Sequence, residues 1–165
     1  MLKLLIAGVA VAVSLVSACG SSNAVTPAAS DTQRLADVYS IEQIEVNWHK
    51  ASSTKNLDLM MSLWADNATF QAGTQTYTGK QQIRDFFATK AAPFRPENNW
   101  VSETPAYKIR VTVNGDKGTL YFECHYVDVA TRQVKSVVGA DANVARLNGH
   151  WLMTNSVSAT PFLAP

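Results

Sequence analysis

The sequence has 165 residues, a formal net charge of +1 and 16% charged residues. Because no basic stripe accompanies this near-neutral charge, the sequence lacks the electrostatic footprint of a nucleic-acid-binding protein. Its length allows one domain with a substantial core.

The N-terminus predicts a targeting segment. Lys3 supplies one positive charge, and residues 4–16 are apolar except for Gly8 and Ser14. This run is shorter than the about 20 residues of a membrane-spanning helix. It has the length of the apolar core of a secretory signal. We therefore expect residues 1–18 to be a cleaved leader.

The sequence Val16-Ser17-Ala18-Cys19 resembles a bacterial lipobox. The resemblance implies cleavage before Cys19, diacylglycerol on its sulfur and a further acyl chain, such as palmitate, on the new amino group. Two or more chains make a stable membrane anchor. Gly20 lacks the acidic character of an inner-membrane retention signal, which favours the periplasmic face of the outer membrane in a Gram-negative host. The alternative is an ordinary signal peptide that happens to contain a cysteine.

Residues 19–32 predict a flexible tether between the anchor and a domain at residues 33–165. The tether is small and polar, so it has too little apolar surface to fold. Cleavage removes Lys3 and leaves a formal charge of zero. Once Cys19 is lipidated, Cys124 is the only thiol, which excludes an intrachain disulfide.

Three helices are predicted at the start of the domain. The first covers residues 33–52, where apolar side chains recur along one face. Asn56 is a candidate cap for the second. The third begins after Gly79 and ends by Pro93, because proline cannot continue a helix. The inner face of the first helix is predicted to contain Leu35, Val38, Ile41, Ile44, Trp48 and Ala51.

The second half of the domain predicts an antiparallel meander. Alternating apolar and polar residues indicate strands, and Asn148-Gly149 is a strong hairpin signal. Two short strands precede the meander. The predicted strands cover residues 68–72, 75–78, 107–113, 118–128, 133–147 and 150–158.

Several local motifs occur in a distinctive order along these elements. They are Asn56-Leu57-Asp58, Leu63-Trp64-Ala65-Asp66-Asn67-Ala68-Thr69-Phe70, Tyr77-Thr78-Gly79, Ile83-Arg84-Asp85-Phe86-Phe87 and Asn148-Gly149-His150-Trp151. In this order the chain resembles the nuclear transport factor 2-like superfamily and, within it, the SnoaL-like domains, over residues 35–159. The resemblance implies an α+β fold: a cone-shaped, curved antiparallel sheet packed against three N-terminal helices, also described as a cystatin-like roll. Such folds include ketosteroid isomerases, scytalone dehydratases, epoxide hydrolases and polyketide cyclases as well as non-catalytic binders, so fold alone does not choose the function.

Strand phase predicts which side chains face the cone. The inward face, from Leu120 and Phe122 through Trp151 to Val157, is largely apolar. An apolar pocket with few polar groups is typical of a site for a small hydrophobic molecule. The predicted pocket lining is Trp48, Phe70, Trp100, Tyr107, Tyr126 and Asn155.

The ionisable residues fall on the opposite face. His125, Glu123 and Asp141 have the chemistry of an acid/base set, but alternation points them to solvent or to a dimer partner. A bulge, for which Gly139 is a candidate position, would reverse this assignment. His49 follows Glu45 by four residues and is predicted to form a surface pair with it.

Two observations concern possible catalytic chemistry: the residues found at the family's catalytic positions and the spacing of the histidines. The resemblance places Trp48 and Ala72 where ketosteroid isomerases have their tyrosine and aspartate, and Trp100 where many SnoaL-like proteins have a histidine. The three histidines have no ligand-like spacing with each other or with Cys124, so no metal or other cofactor is expected.

Three functions remain open from the sequence. The first is a lipid-anchored protein that binds a small hydrophobic molecule. The second is an isomerase, dehydratase or cyclase for a small organic substrate, with Tyr107, Tyr126 and Asn155 as hydrogen-bond donors, or with His125, Asp141 and Tyr107 as a catalytic set. The third is a homodimer or protein-interaction module that uses the outer sheet face.

Overall fold

A computed structural model describes residues 31–102 and 108–158. The predicted leader, Cys19 and Tyr107 lie outside these residues. The described helices are α1 (Asp31–Thr54), α2 (Leu57–Ser62) and α3 (Gly79–Thr89), with a 3₁₀ turn at Ala92–Phe94. The strands are β1 (Trp64–Ala72), β2 (Gln75–Thr78), β3 (Trp100–Ser102), β4 (Ile109–Asn114), β5 (Lys117–Asp128), β6 (Val134–Leu147) and β7 (His150–Ser158). Within the described residues, no helix is both long and apolar enough to cross a membrane.

The helix boundaries follow from the local sequence. The Asn56 carboxamide caps α2, accepting a hydrogen bond of 2.9 Å from the Leu59 amide, and this satisfies one free amide of the first turn. Gly79 begins α3 with φ at +79°, a conformation that glycine adopts without strain. The three predicted helices are therefore present, with α1 already helical at Asp31, two residues before its predicted start.

The described strands all belong to one curved seven-stranded sheet in the order β2-β1-β7-β6-β5-β3, with β4 also paired to β5. The predicted meander is present, since β4, β5, β6 and β7 pair successively in antiparallel fashion. The sheet is nevertheless mixed, because β1 runs parallel to β7. Strand β3, which was not predicted, shares one edge of β5 with β4.

The core lies between α1 and the concave face of the sheet. Ile41 of α1, Trp64 of β1, Phe122 of β5 and Met153 of β7 are all fully buried there. One predicted inner position of α1 is wrong: Leu35 is 60% exposed, because the helix turns Asp37 rather than Leu35 toward the sheet, where Asp37 bonds to Arg146 and Trp151.

A bulge changes the phase of β7. Asn143 pairs with Asn155, whereas the next residue, Val144, pairs with Met153, so Thr154 is the extra residue. Beyond a bulge every side chain moves to the other face. The inward prediction for Asn155 and Val157 is therefore wrong, and Ser156 is buried instead. At Gly139, the position suspected from sequence, the pairing with β5 is continuous.

Candidate ligand-binding site

A cavity of about 210 Å³ opens between α1, α3 and the concave face of the sheet. Its wall is mostly aromatic, and residues 91–94, which we call the lip, close one side. The lining consists of Trp48, Phe70, Phe86, Phe87, Lys90, Ala91, Ala92, Pro93, Phe94, Trp100, Tyr126, Ser136, Val138 and Ser158.

The aromatic rings hold each other in place. The Trp48 ring meets those of Phe87 and Phe122 edge-on, with centroids 5.3 and 5.4 Å apart. Phe70 stacks on Phe87 at 5.7 Å, and Phe94 meets Phe87 at 5.4 Å. Such pairs stabilise by about 0.5–1.5 kcal/mol beyond the burial of their area. The wall is therefore preorganised for another ring-sized apolar group.

A tyrosine provides the main polar group inside the cavity. The Trp48 indole donates its Nε1 hydrogen to the Tyr126 hydroxyl oxygen over 3.4 Å, and Ser136 lies opposite Tyr126 on the neighbouring strand. Burial raises the pKa of Tyr126, so the hydroxyl keeps its proton at neutral pH. Tyr126 can therefore donate a hydrogen bond to a carbonyl or similar acceptor, but it cannot serve as a base.

Neighbouring Cys124 is similarly unreactive. It is 2% exposed, and burial raises the pKa of its thiol. Because the thiolate is the reactive form of cysteine, Cys124 is an unreactive core side chain.

The charged group at the mouth of the cavity is Lys90, the residue that ends α3. Among the described residues of the lining there is no carboxylate and no imidazole. The cavity as described can therefore bind, orient and donate hydrogen bonds, but these residues provide no general base for proton abstraction.

The predicted pocket residues have different outcomes. Trp48, Phe70, Trp100 and Tyr126 line the cavity. Asn155 lies on the opposite face of the sheet, where its Nδ2 donates to Thr69 Oγ1 over 2.7 Å. It borders a shallow hollow there together with Thr119 and Asp141. The bulge at Thr154 is the physical reason for the difference.

The predicted set lacked most of the lining, including Ser136, Phe94 and Lys90. Ser136 was identifiable, because it shares the inward phase with its neighbour Tyr126. Phe94 follows Pro93 in a segment without a periodic pattern. Lys90 stands at the end of a predicted helix, where the sequence does not distinguish it from an ordinary surface lysine. Only the tertiary fold brings these two residues to the cavity.

The alternative catalytic residues lie away from the cavity. His125 and Asp141 belong to the outer face, and Tyr107 lies outside the described residues. His125 Nε2 is 3.8 Å from Glu123 Oε2. Glu123 also lies 3.7 Å from Lys108 Nζ.

Tyr121 completes this outer cluster. Its hydroxyl donates to Glu123 Oε1 over 2.6 Å, which raises the pKa of Tyr121 to about 12. The same hydrogen bond holds the pKa of Glu123 below its usual value. The guanidinium of Arg110 lies 4.2 Å from the centre of the Tyr121 ring. Tyr121 and Lys108 thus stabilise the ionised form of Glu123, and Glu123 stabilises the protonated form of Tyr121. The whole cluster lies across the sheet from the cavity.

One predicted surface pair lies inside the protein. His49 Nδ1 and Glu45 Oε1 are 3.0 Å apart, as the four-residue spacing predicts. The pair is not on the surface, however, because both residues are buried, with exposures of 0% and 2%. The side of α1 that faces the sheet includes Glu45 and His49 as well as the apolar residues.

A larger hollow of about 430 Å³ lies elsewhere, between the first turns of α1 and β7. It is shallow and polar. The buried Asp37 carboxylate in its lining already accepts hydrogen bonds from Arg146 Nη2 at 2.6 Å, Trp151 Nε1 at 3.2 Å and Gln33 Nε2 at 3.0 Å. We regard the smaller aromatic cavity as the ligand site, because ligand sites are typically concave and mostly apolar.

A metal centre finds no support in the described part of the chain. No three histidine, cysteine, aspartate or glutamate side chains there lie close enough together to hold an ion.

Comparison with protein families settles the classification. The family model for the SnoaL-like domain matches residues 33–157. This chain belongs to the SnoaL-like domain family. A comparison of the SnoaL-like chain with curated proteins finds no match.

Solved structures with this fold are numerous. A protein of unknown function with a cystatin-like fold from Nostoc punctiforme has a TM-score of 0.67 at 15% identity, covering 79% of this chain and 95% of its own. A nuclear transport factor 2-like protein from Novosphingobium aromaticivorans has a TM-score of 0.67 at 16% identity, covering 78% of this chain and 84% of its own. A hexachlorocyclohexane dehydrochlorinase from Novosphingobium barchaimii has a TM-score of 0.65 at 19% identity, covering 82% of this chain and 100% of its own. At these identities the likeness establishes the predicted fold of the SnoaL-like domain and nothing finer.

Proposed function

We propose that this SnoaL-like protein binds a small hydrophobic molecule in its aromatic cavity, and that it is exported and held in the cell envelope by lipid on Cys19. The observation that carries the binding proposal is the composition of the cavity: a wall of aromatic rings with few polar groups, of which the Tyr126 hydroxyl is the main one. An apolar wall with few polar groups is typical of small-molecule sites.

The cavity also limits the size of the ligand. Its volume of about 210 Å³ is below the about 300–1,000 Å³ of sites for drug-sized molecules. We therefore expect a ligand with one or two rings, packed between Trp48 and Trp100 and accepting a hydrogen bond from Tyr126.

An isomerase, dehydratase or cyclase is the second candidate, and the dehydrochlorinase among the structural neighbours is an enzyme that acts on a small apolar molecule. Such reactions need a general base within hydrogen-bond reach of the substrate. The histidines with nearby carboxylates, His49 and His125, are respectively buried in the core and placed on the outer face. This arrangement favours binding over catalysis. Association through the outer face stays a prediction.

Titration of the protein with indole and toluene tests the binding proposal. Binding is followed by thermal unfolding for both ligands and by tryptophan fluorescence for toluene, whose emission does not overlap that of tryptophan. Trp48 and Trp100 line the cavity, so occupancy should change their emission. A ligand at 100 times its dissociation constant adds about 2.7 kcal/mol to the free energy of unfolding. For a domain of this size, that raises Tm by several degrees.

A matched pair of variants locates the site. Ala91→Trp places a large ring at the lip and should abolish binding, whereas Ala88→Trp, on the exposed side of α3, should leave it unchanged. Circular dichroism checks that both variants fold. If neither ligand binds the wild type, or if Ala91→Trp binds as well as Ala88→Trp, the cavity is not the site.

A further inference from the structure

The charged group at the mouth of the cavity has only neutral partners among the described residues. Lys90 Nζ lies 3.1 Å from the Tyr77 hydroxyl and 3.3 Å from Gln75 Oε1. It also lies 5.2 Å from the centre of the Tyr77 ring. By contrast Lys80, on the same helix, pairs with Asp66 at 3.0 Å. Lys90 is therefore a cation held in position without a carboxylate partner in the described structure.

A second lysine adds positive charge behind the lip. Lys55 Nζ donates to the carbonyl oxygens of Pro93 at 3.0 Å and Asn98 at 2.6 Å. Pro93 itself lines the cavity. The Lys55 ammonium thus contacts the lip, Lys90 is itself part of the lining, and no carboxylate is part of the described lining. This charge distribution attracts an anion and repels a cation.

We infer that the ligand is a small aromatic carboxylate, with its ring in the cavity and its carboxylate at the mouth against Lys90. This inference rests on the proposed function, because the ring must occupy the aromatic cavity for its acidic group to reach Lys90. Lysine binds such a group as a flexible point charge, so the site selects the charge of the head group without fixing its geometry tightly.

Binding of two ligands of the same shape tests the inference. Benzoate and benzamide share a ring and differ at pH 7 in the charge of the head group. Exposed ion pairs contribute up to about 1 kcal/mol, which is about five-fold in affinity. We therefore expect calorimetry to show benzoate binding about three- to five-fold more tightly than benzamide. Added salt should remove part of the difference.

Two lysine variants identify the group responsible. Lys90→Met keeps the length and apolar stem of the side chain and should make the two affinities equal. Lys80→Met removes a charge of the same helix away from the cavity, and it should leave the preference intact. Thermal unfolding without ligand checks that both variants are folded.

The outcomes separate this inference from the proposed function. If neither compound binds the wild type, and the neutral ligands indole and toluene also fail, the cavity proposal itself is wrong. If indole binds while benzoate and benzamide bind equally, or if Lys90→Met keeps the benzoate preference, the cavity stands and the role of Lys90 is overturned.

Discussion

Asp37 is the clearest case of a single side chain that holds distant parts of the fold together. Its carboxylate is 3% exposed and accepts hydrogen bonds from Gln33 in α1, Arg146 in β6 and Trp151 in β7. Arg146 extends the contact to Asp116, whose Oδ1 lies 2.9 Å from its Nε. This cluster joins the start of α1 to the last hairpin.

The Asp37 cluster predicts an acid-sensitive contribution to stability. Burial raises the pKa of Asp37, but the hydrogen bonds from Arg146, Trp151 and Gln33 more than offset this and hold it below its usual value. A lowered folded-state pKa stabilises the protein above the unfolded value of about 3.9. That stability is lost as the pH falls through the folded-state pKa.

Asp37→Asn should therefore lower the free energy of unfolding at pH 7 by about 3 kcal/mol, with a smaller loss on acidification than the wild type. Urea unfolding between pH 7 and pH 2.5 measures both effects. Asp31→Asn, an exposed position on the same helix, should change neither. Parallel pH profiles for Asp37→Asn and the wild type would contradict this account.

The spacing of Glu45 and His49 predicted their pairing correctly but placed the pair on the surface, whereas both residues are buried. Both residues have the spacing of a surface pair, and the sequence contains no sign that they lie inside. In the fold, the His49 ring meets Phe122 of β5 with centroids 6.1 Å apart, because α1 packs closely over the sheet. A buried charged residue is much less destabilising when it has a partner. The pairing of Glu45 with His49 within the helix therefore allows both residues to face the sheet.

At the scale of elements, close packing between α1 and the β4–β5 hairpin depends on one glycine. A Cβ atom at Gly118 would clash with the Thr112 carbonyl oxygen and would lie 3.2 Å from Val144 Cγ2 and 3.4 Å from Ile41 Cδ1. The first of these is backbone, which cannot move aside without disturbing the strand pair. The absence of a side chain lets the helix and the hairpin meet.

Gly118→Ala should consequently destabilise the protein by about 1–3 kcal/mol, the usual cost of overpacking. Gly73→Ala serves as the comparison, since a Cβ there meets nothing within 4 Å. Its positive φ of 59° gives a conformational cost of about 1 kcal/mol. Denaturant unfolding measures the free energy of unfolding of both variants. If Gly118→Ala loses no more than Gly73→Ala, the hairpin backbone can move enough to accommodate the added Cβ atom.

Elements with a strong periodic pattern could be predicted from the sequence, and irregular ones could not. The inward phase of β5 and most of β6 follows directly from alternation, which is why Tyr126 was placed correctly. The phase of β7 fails after Thr154, because a one-residue bulge leaves no mark in an alternating sequence. Strand β3 has three residues, too few for a pattern, and pairing with β5 alone defines it.

At the scale of the whole molecule, the fold was predictable because many weak motifs occur in one consistent order along the chain. The cavity was predictable in part. Its floor belongs to regular strands, but its lip and Lys90 come from residues 90–94, where the chain leaves α3 and turns through Pro93. Their position depends on the packing of three elements rather than on local sequence.

The cavity also has a defined position relative to the start of the domain. Helix α1 begins at Asp31, and Trp48 comes 17 residues later. At a rise of 1.5 Å per residue, Trp48 lies about 25 Å along the helix from its start. An anchor on Cys19 would therefore join the domain at the end of α1 remote from the cavity.

This separation predicts that anchoring and ligand binding are independent. In a bacterial host supplied with labelled palmitate, the wild-type chain should incorporate label and partition into detergent, and Cys19→Ser should do neither. Both forms should bind indole with the same affinity, since the cavity lies far from the start of α1. A wild-type chain that is processed and secreted without label would instead identify the leader as an ordinary signal peptide. Weaker binding by unlipidated protein would mean that the anchor or the membrane contributes to the site.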